Sequence, residues 1–144
     1  MTRRCRDTLV VLVALAGTAG RAAALQSAAP ETRTTLDGVF TEAQAVRGEA
    51  RFRAVCANCH SVKQFTTPSV FRTWSGRPLR DLFENVRSLM PDDDPGGLDR
   101  QTYVEVLAYL LKANGYPAGE TELPAGDSAL RKIRIDAKTE GTGP

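Results

Sequence analysis

The sequence is poor in the side chains that most often bind metal ions. Its 144 residues include one histidine, two methionines and three cysteines. Cys5 lies in the N-terminal segment, so too few Cys and His residues remain for a zinc site with four such ligands. A site that takes two histidines from one chain is excluded as well.

Long apolar runs are also missing. The run from Leu9 to Ala16 is far shorter than the roughly 20 residues that a transmembrane helix needs. The later run from Tyr103 to Leu111 is short and contains Glu105. The N-terminus instead has arginines, then the first apolar run, then small residues, which is typical of a secretory signal peptide. We predict cleavage after Ala24, with a retained membrane anchor as the alternative.

The small excess of positive charge belongs to this N-terminal segment. The whole chain has 19 basic and 17 acidic residues and a formal net charge of +2. Residues 1–24 hold four arginines and one aspartate, so the rest of the chain has a formal net charge of −1. A weakly acidic chain gives no reason to expect binding to nucleic acid.

The apolar pattern predicts one all-α domain at residues 39–117, built from three main helices. A chain of this length, 42% hydrophobic, can bury one small core. Residues 25–38 are rich in Ala, Ser, Thr and Pro and are predicted to form a flexible, exposed leader. Residues 118–144 are predicted to be a tail that lies extended along the domain surface.

The first predicted helix begins at Thr41, which can cap it, with Gln44 as the capping-box partner. It should run to about Val55 or Cys56. A glycine inside a helix costs up to about 1 kcal/mol, so Gly48 indicates a place where another backbone comes close. The predicted inward face carries Val46, Phe52 and Val55.

The second predicted helix follows Pro78 and is stopped by Pro91. Its apolar stripe consists of Leu79, Leu82, Phe83, Val86 and Leu89. The third predicted helix opens at the cap residue Asp99 and ends before Gly115. Its buried stripe consists of Tyr103, Val106, Leu107 and Leu110.

The most informative motif is Cys56-Ala57-Asn58-Cys59-His60, which has the C-x-x-C-H spacing of covalent haem attachment. Cysteines three residues apart stand about one helical turn from each other, so both sulfurs can bond to neighbouring vinyl groups of one haem. His60 then lies on the same side as the two cysteines, where it can bind the haem iron. The alternatives are a zinc half-site, a thioredoxin-like redox pair and a simple disulfide between the two cysteines. A redox dithiol usually follows a strand, whereas a predicted helix precedes this motif.

A second axial ligand for the iron has to be something other than histidine. After the predicted cleavage, Met90 is the one methionine that remains, and it lies at the end of the second predicted helix. A lone methionine is usually core filler. Because the chain offers no other soft ligand, we predict that Met90 binds the iron opposite His60.

Residues 39–117 resemble the class I c-type cytochromes, which bind one haem. The resemblance implies an all-α, cytochrome c-like fold whose helices and loops wrap one covalently bound haem c. It also implies that the first helix crosses the last where Gly48 and Phe52 approach Val106 and Tyr109. Three segments carry it, Arg47–Phe52 with Cys56–His60, Leu82–Pro91, and Val104–Leu111.

The resemblance further implies roles for Pro68 and Trp74. Pro68 stands where such cytochromes have a proline whose carbonyl accepts the N–H of the histidine ligand, although the usual Gly-Pro is Thr67-Pro68 here. Trp74 would form a wall against the haem, with its indole N–H near a propionate. Core packing is the alternative for Trp74.

The stretch from Met90 to Glu122 is similar to small cytochromes that accompany bacterial periplasmic quinoprotein dehydrogenases. This implies a periplasmic electron-transfer protein, not an enzyme, that accepts electrons from such a dehydrogenase and passes them to a terminal oxidase or another cytochrome. The alternatives are a cytochrome subunit of an oxidoreductase complex and a catalytic or gas-sensing haem protein with an open distal side. The acidic residues Asp92–Asp94 would lie near Met90 and favour a basic docking surface.

Overall fold

The computed structural model describes residues 32–138, so the predicted signal peptide and residues 25–31 of the predicted leader lie outside the described residues. Helices dominate the described part, which confirms the all-α class. None of its helices has the length and apolar content needed to cross a membrane. In chain order the elements are β1 (Arg33–Thr34), α1 (Glu42–Arg51), a π-helical turn (Phe52–Cys56), a 3-10 turn (Val62–Phe65), α2 (Pro68–Trp74), α3 (Leu79–Leu89), α4 (Arg100–Ala113), α5 (Asp127–Leu130) and β2 (Ile133–Arg134).

Helix α1 begins where the sequence predicts, because the Thr41 hydroxyl accepts the backbone N–H of Gln44 at 3.1 Å. The predicted capping box is wrong. The buried Gln44 side chain donates to the carbonyl of Leu123 at 2.9 Å and accepts the N–H of Leu123 at 2.7 Å. Phe52 is buried as expected, but Val46 is 54% exposed. Gln44 therefore joins α1 to the C-terminal segment instead of closing its own helix end.

Helices α1 and α4 cross in backbone contact at Gly48. A Cβ atom there would lie 1.8 Å from the carbonyl oxygen of Glu105 and 3.0 Å from Cβ of Tyr109, so a larger residue does not fit. One turn further along, the rings of Phe52 and Tyr109 have centroids 5.5 Å apart. The expected crossing of the first and last main helices is confirmed, and it explains a glycine in the middle of α1.

Helices α3 and α4 also begin and end close to the predicted residues. Asp99 caps α4 by accepting the N–H of Thr102 at 2.9 Å, and Gly115 follows α4 with a φ of 72°, the left-handed conformation typical of a helix end. Leu89 of the predicted apolar stripe is 53% exposed. Helix α4 is buried on most sides, so it is the central helix that the others cover.

Both flanking segments join the core in the described part of the chain. β1 and β2 pair in parallel, with Arg33 opposite Ile133, and Thr35 is fully buried. This differs from the expected exposed leader and surface tail. The apolar residues of these flanks are widely spaced, and they pack into the same core cluster as the helices. The C-terminal segment contributes four buried apolar residues, Leu123, Leu130, Ile133 and Ile135.

Glu105 is a buried carboxylate on α4 that binds two arginines of α1. Its oxygens lie 2.8 Å from Nε of Arg47 and 3.4 Å from Nε of Arg51, and Arg47 also reaches Glu122 of the C-terminal segment at 2.7 Å. Burial by itself would raise the pKa of Glu105. The hydrogen bonds and charges of the two arginines outweigh it, so the pKa lies below its usual value.

We expect Gly48→Ala to lower the free energy of unfolding by about 2–3 kcal/mol, since the new methyl group would push α1 away from the carbonyl of Glu105. Alanine's better helix propensity offsets part of this. Gly126→Ala is the matched control, because a Cβ there meets nothing within 4 Å, and it should change stability by about 0.5 kcal/mol or less. Urea unfolding measures the free energy of unfolding of both variants. Equal values for Gly48→Ala and Gly126→Ala would contradict the close crossing of α1 and α4.

The ion pairs of Glu105 should make the stability of the fold depend on pH. Because folding lowers the pKa of Glu105, its ion pairs stabilise the fold fully above the ordinary value of 4.5, and this stability is lost as pH falls through the lower folded value. Urea midpoints should therefore drop more steeply below about pH 5 for the wild type than for Glu105→Gln, which does not titrate. Glu122→Gln, an exposed partner of the same arginine, should keep the wild-type slope. A wild-type slope in Glu105→Gln would contradict the assignment.

Candidate functional site

The Cys56–His60 motif follows directly from the π-helical turn that continues α1. In this wider turn the N–H of Ala57 reaches back five residues to the carbonyl of Phe52 at 2.9 Å. The chain then tightens, and the N–H groups of Cys59 and His60 both donate to the carbonyl of Cys56, at 3.2 and 2.9 Å. Two sulfurs and one imidazole are thereby gathered on a single short turn.

The two cysteines differ in environment. Both thiols are free, with Cys56 half-buried and Cys59 exposed. Burial raises the pKa of the Cys56 thiol. Cys56 packs against a small apolar cluster centred on Phe52, Val106 and Leu110, so the crossing of α1 and α4 supports the start of the motif.

The His60 ring is half-buried and held on one side. Its Nδ1 lies 3.2 Å from Oε1 of Gln64, and its ring meets the Phe65 ring edge-on, with centroids 5.3 Å apart. Within residues 32–138, Nε2 of His60 has no hydrogen-bond partner. This leaves Nε2 as the nitrogen that can bind a metal ion.

Among the described residues His60 therefore has a different partner from the one that the resemblance implies. Pro68 is the first residue of α2, and in an α-helix its carbonyl is directed along the axis toward the residue four positions later. Pro68 lines a cavity of about 310 Å³ together with Arg72, Asn114 and other residues. The described hydrogen bonds of His60 do not include Pro68.

An apolar cavity of about 350 Å³ lies near His60, because Gln64 and Phe65, which both contact His60, also line the cavity. Trp74 lines this cavity and is half-buried, and the guanidinium carbon of Arg77 lies 4.4 Å from its ring centroid. The cavity brings together the 3-10 turn, α2, α3 and α4. Its lining consists of Gln64, Phe65, Val70, Phe71, Thr73, Trp74, Leu82, Asn85, Val86 and Leu110.

Met90 directly follows α3 as its C-cap residue, and both its backbone N–H and its carbonyl are hydrogen-bonded. Its N–H donates to the carbonyl of Val86 at 2.9 Å, and its carbonyl accepts the hydroxyl of the buried Tyr103 at 2.7 Å. The same hydroxyl accepts the N–H of Leu98 at 3.5 Å, so the loop after Met90 is tied to α4. The side chain of Met90 is half-buried and lines neither cavity described above. Its role as an iron ligand stays a prediction.

Sequence reasoning missed two residues of this site. Gln64 follows His60 by four residues, a spacing at which side chains on one helical turn can meet, so the signal was present. Tyr103 was assigned to the buried stripe of α4, and nothing in the local pattern showed that its hydroxyl would reach the backbone of Met90.

The arrangement fits a covalently bound haem. Cys56 and Cys59 offer two thiols on one turn, His60 offers a free ring nitrogen, and a mostly apolar cavity adjoins them. A zinc site would need further ligands, and the described residues hold no group of three or more His, Cys, Asp or Glu side chains arranged for a metal ion. Cys56 and Cys59 would bond to the edge of the haem ring, and His60 would offer a ring nitrogen to its iron.

One comparison with known proteins found a match, to a family model. Residues 43–110, just under half of the chain, match the family model described as cytochrome C oxidase, cbb3-type, subunit III. No curated protein and no solved structure matches the chain. The matched segment runs from the first turn of α1 into the last turn of α4 and includes Cys56, Cys59, His60 and Met90. The match supports a c-type cytochrome domain at residues 43–110, and domains of this family carry covalently bound haem c.

Proposed function

We propose that this protein is a periplasmic monohaem cytochrome that transfers electrons, with Cys56 and Cys59 holding the haem and His60 and Met90 as its axial ligands. The observation that supports this most is the single turn that gathers two free thiols and an imidazole beside an apolar cavity. The N-terminal signal pattern supports export. Haem c, when bound, supplies an iron that changes between the ferric and ferrous states.

The residues around the site have distinct tasks in this proposal. Cys56 and Cys59 tether the ring edge, so the cofactor cannot leave between successive electron transfers. The apolar lining from α2, α3 and α4 excludes water from the ring. Met90 is a soft ligand that favours the ferrous form and raises the reduction potential relative to a second histidine. With both axial positions filled, no site is open for a substrate, which argues against catalysis at the iron.

A dehydrogenase as electron donor rests on the finer resemblance of residues 90–122 to the cytochromes of periplasmic quinoprotein dehydrogenases. The acceptor in this proposal is a terminal oxidase or another cytochrome. The description of the matched family names a subunit of an oxidase, which supports the alternative of a cytochrome subunit in an oxidoreductase complex. Size exclusion of native material separates a free shuttle from a subunit by whether an enzyme co-migrates.

The surface beside Met90 supports docking to a basic partner. Asp92, Asp93 and Asp94 are exposed, and the neighbouring Leu89 has 53% of its surface exposed. Electron-transfer encounters usually bury less than about 1,200 Å² and rely on charge for orientation and association rate. An exposed apolar residue next to three carboxylates suits such a small, charge-guided contact.

We expect Met90→Ala to lower the reduction potential and to remove the weak red absorption band of Met-ligated ferric haem, because no other methionine or histidine can replace it. Leu89→Ala, at the exposed neighbouring position, should leave both unchanged. Redox titration and the ferric spectrum measure the two effects. If Met90→Ala keeps the band, Met90 is not a ligand. Rapid carbon monoxide binding to the reduced wild type would then indicate an open distal side.

We expect replacement of Asp92, Asp93 and Asp94 by asparagine to slow reduction by a quinoprotein dehydrogenase at low salt and to flatten the salt dependence of the rate. The haem spectrum should not change. Asp93→Asn and Glu120→Gln form a matched pair, since each removes one charge from an exposed side chain, and only the first should slow the reaction. Stopped-flow rates that are equally fast and equally salt-sensitive in the triple variant would place docking elsewhere.

A further inference from the structure

The side chain of Gln64 is placed where it can set the proton and the orientation of His60. Oε1 of Gln64 lies 3.2 Å from Nδ1 of His60 and accepts the backbone N–H of Ser61 at 3.3 Å. A backbone N–H can only donate, so the Gln64 atom that faces both groups is the carbonyl oxygen and not the amide nitrogen. An oxygen that can only accept requires Nδ1 of His60 to carry the proton. The proton on Nδ1 leaves the lone pair on Nε2.

The segment that carries Gln64 is itself fixed to the domain. Ser61 and Gln64 form a capping box at the start of the 3-10 turn, which holds the Gln64 side chain back toward His60. The turn is anchored at its other end, where the Asn114 side chain donates to the carbonyl of Phe65 at 2.8 Å. Asn114 directly follows α4, so the acceptor for His60 is tied to the central helix.

We infer that Gln64 is the positioning residue of the haem ligand: its amide oxygen holds the Nδ1 proton of His60, directs Nε2 to the iron and lowers the reduction potential. The inference rests on His60 being an iron ligand, as in the proposed function. A hydrogen bond to the distant nitrogen of an imidazole ligand raises the basicity of the ring, and a more basic ligand favours the ferric iron. A neutral amide does this less strongly than a carboxylate does.

The test is a series of variants of the intact haem protein. Gln64→Leu removes the acceptor and should raise the reduction potential, whereas Gln64→Glu keeps the shape, adds charge to the acceptor and should lower it. Opposite shifts are not expected from a purely structural role. Gln101→Leu is the matched control, since Gln101 is an exposed amide side chain of α4 that lines neither cavity, and it should leave the potential near the wild-type value.

A second readout follows the proton itself. In the reduced protein, the Nδ1–H resonance of His60 should exchange with solvent about five- to tenfold faster in Gln64→Leu than in the wild type, as expected for the loss of one hydrogen bond. Gln64→Glu should retain slow exchange. If the reduction potential and the rate of Nδ1–H exchange are unchanged in both Gln64 variants, the inference is overturned. The hydrogen-bond acceptor of His60 would then be another group, such as the carbonyl of Pro68.

Failure of the proposed function has a different signature. If the wild-type haem spectrum persists in His60→Ala, then His60 is not a ligand, and both the ligand assignment and this inference fall. If His60→Ala loses the wild-type spectrum while the Gln64 variants show no shift, only the inference about Gln64 is overturned.

Discussion

The structure depends on the backbone contact between α1 and α4 at Gly48. Because no side chain separates the helices there, Glu105 of α4 lies within reach of two arginines of α1, and Phe52 meets Tyr109 one turn later. The crossing fixes the direction in which α1 continues into the π-helical turn. The position of Cys56, and with it the whole attachment motif, therefore follows from how closely two helices approach.

The candidate site has one part formed by residues close together in the sequence and another formed by residues far apart in it. The local part is the turn from Cys56 to Phe65, which shapes itself through short-range hydrogen bonds and the capping box of Ser61. The distant part is the cavity lined from α2, α3 and α4, together with the hydroxyl of Tyr103 that holds the backbone of Met90. Helix α4 takes part in both, since Asn114 at its end anchors the turn.

Features that depend on neighbouring residues were predicted well. The caps at Thr41 and Asp99 and the ends of α3 and α4 follow from side chains within one turn of the position they control. The crossing at Gly48 was predicted from the resemblance, but two other predictions that depended on distant partners failed. Gln44 fits the capping-box pattern, but a buried amide gains more by satisfying both backbone groups of Leu123. Apolar spacing likewise placed Val46 inside, although no element covers it.

The sequence by itself determined that Cys56, Cys59 and His60 lie on one short turn, because their spacing on the chain sets which side chains can meet there. It also determined the three main helices and the glycine at which two of them cross. Only the tertiary structure decided that Gln64 meets His60, and that residues near both ends of the described chain complete the core. The physical reason is that burial and hydrogen-bond satisfaction depend on groups that are distant in sequence and come together after the helices have packed.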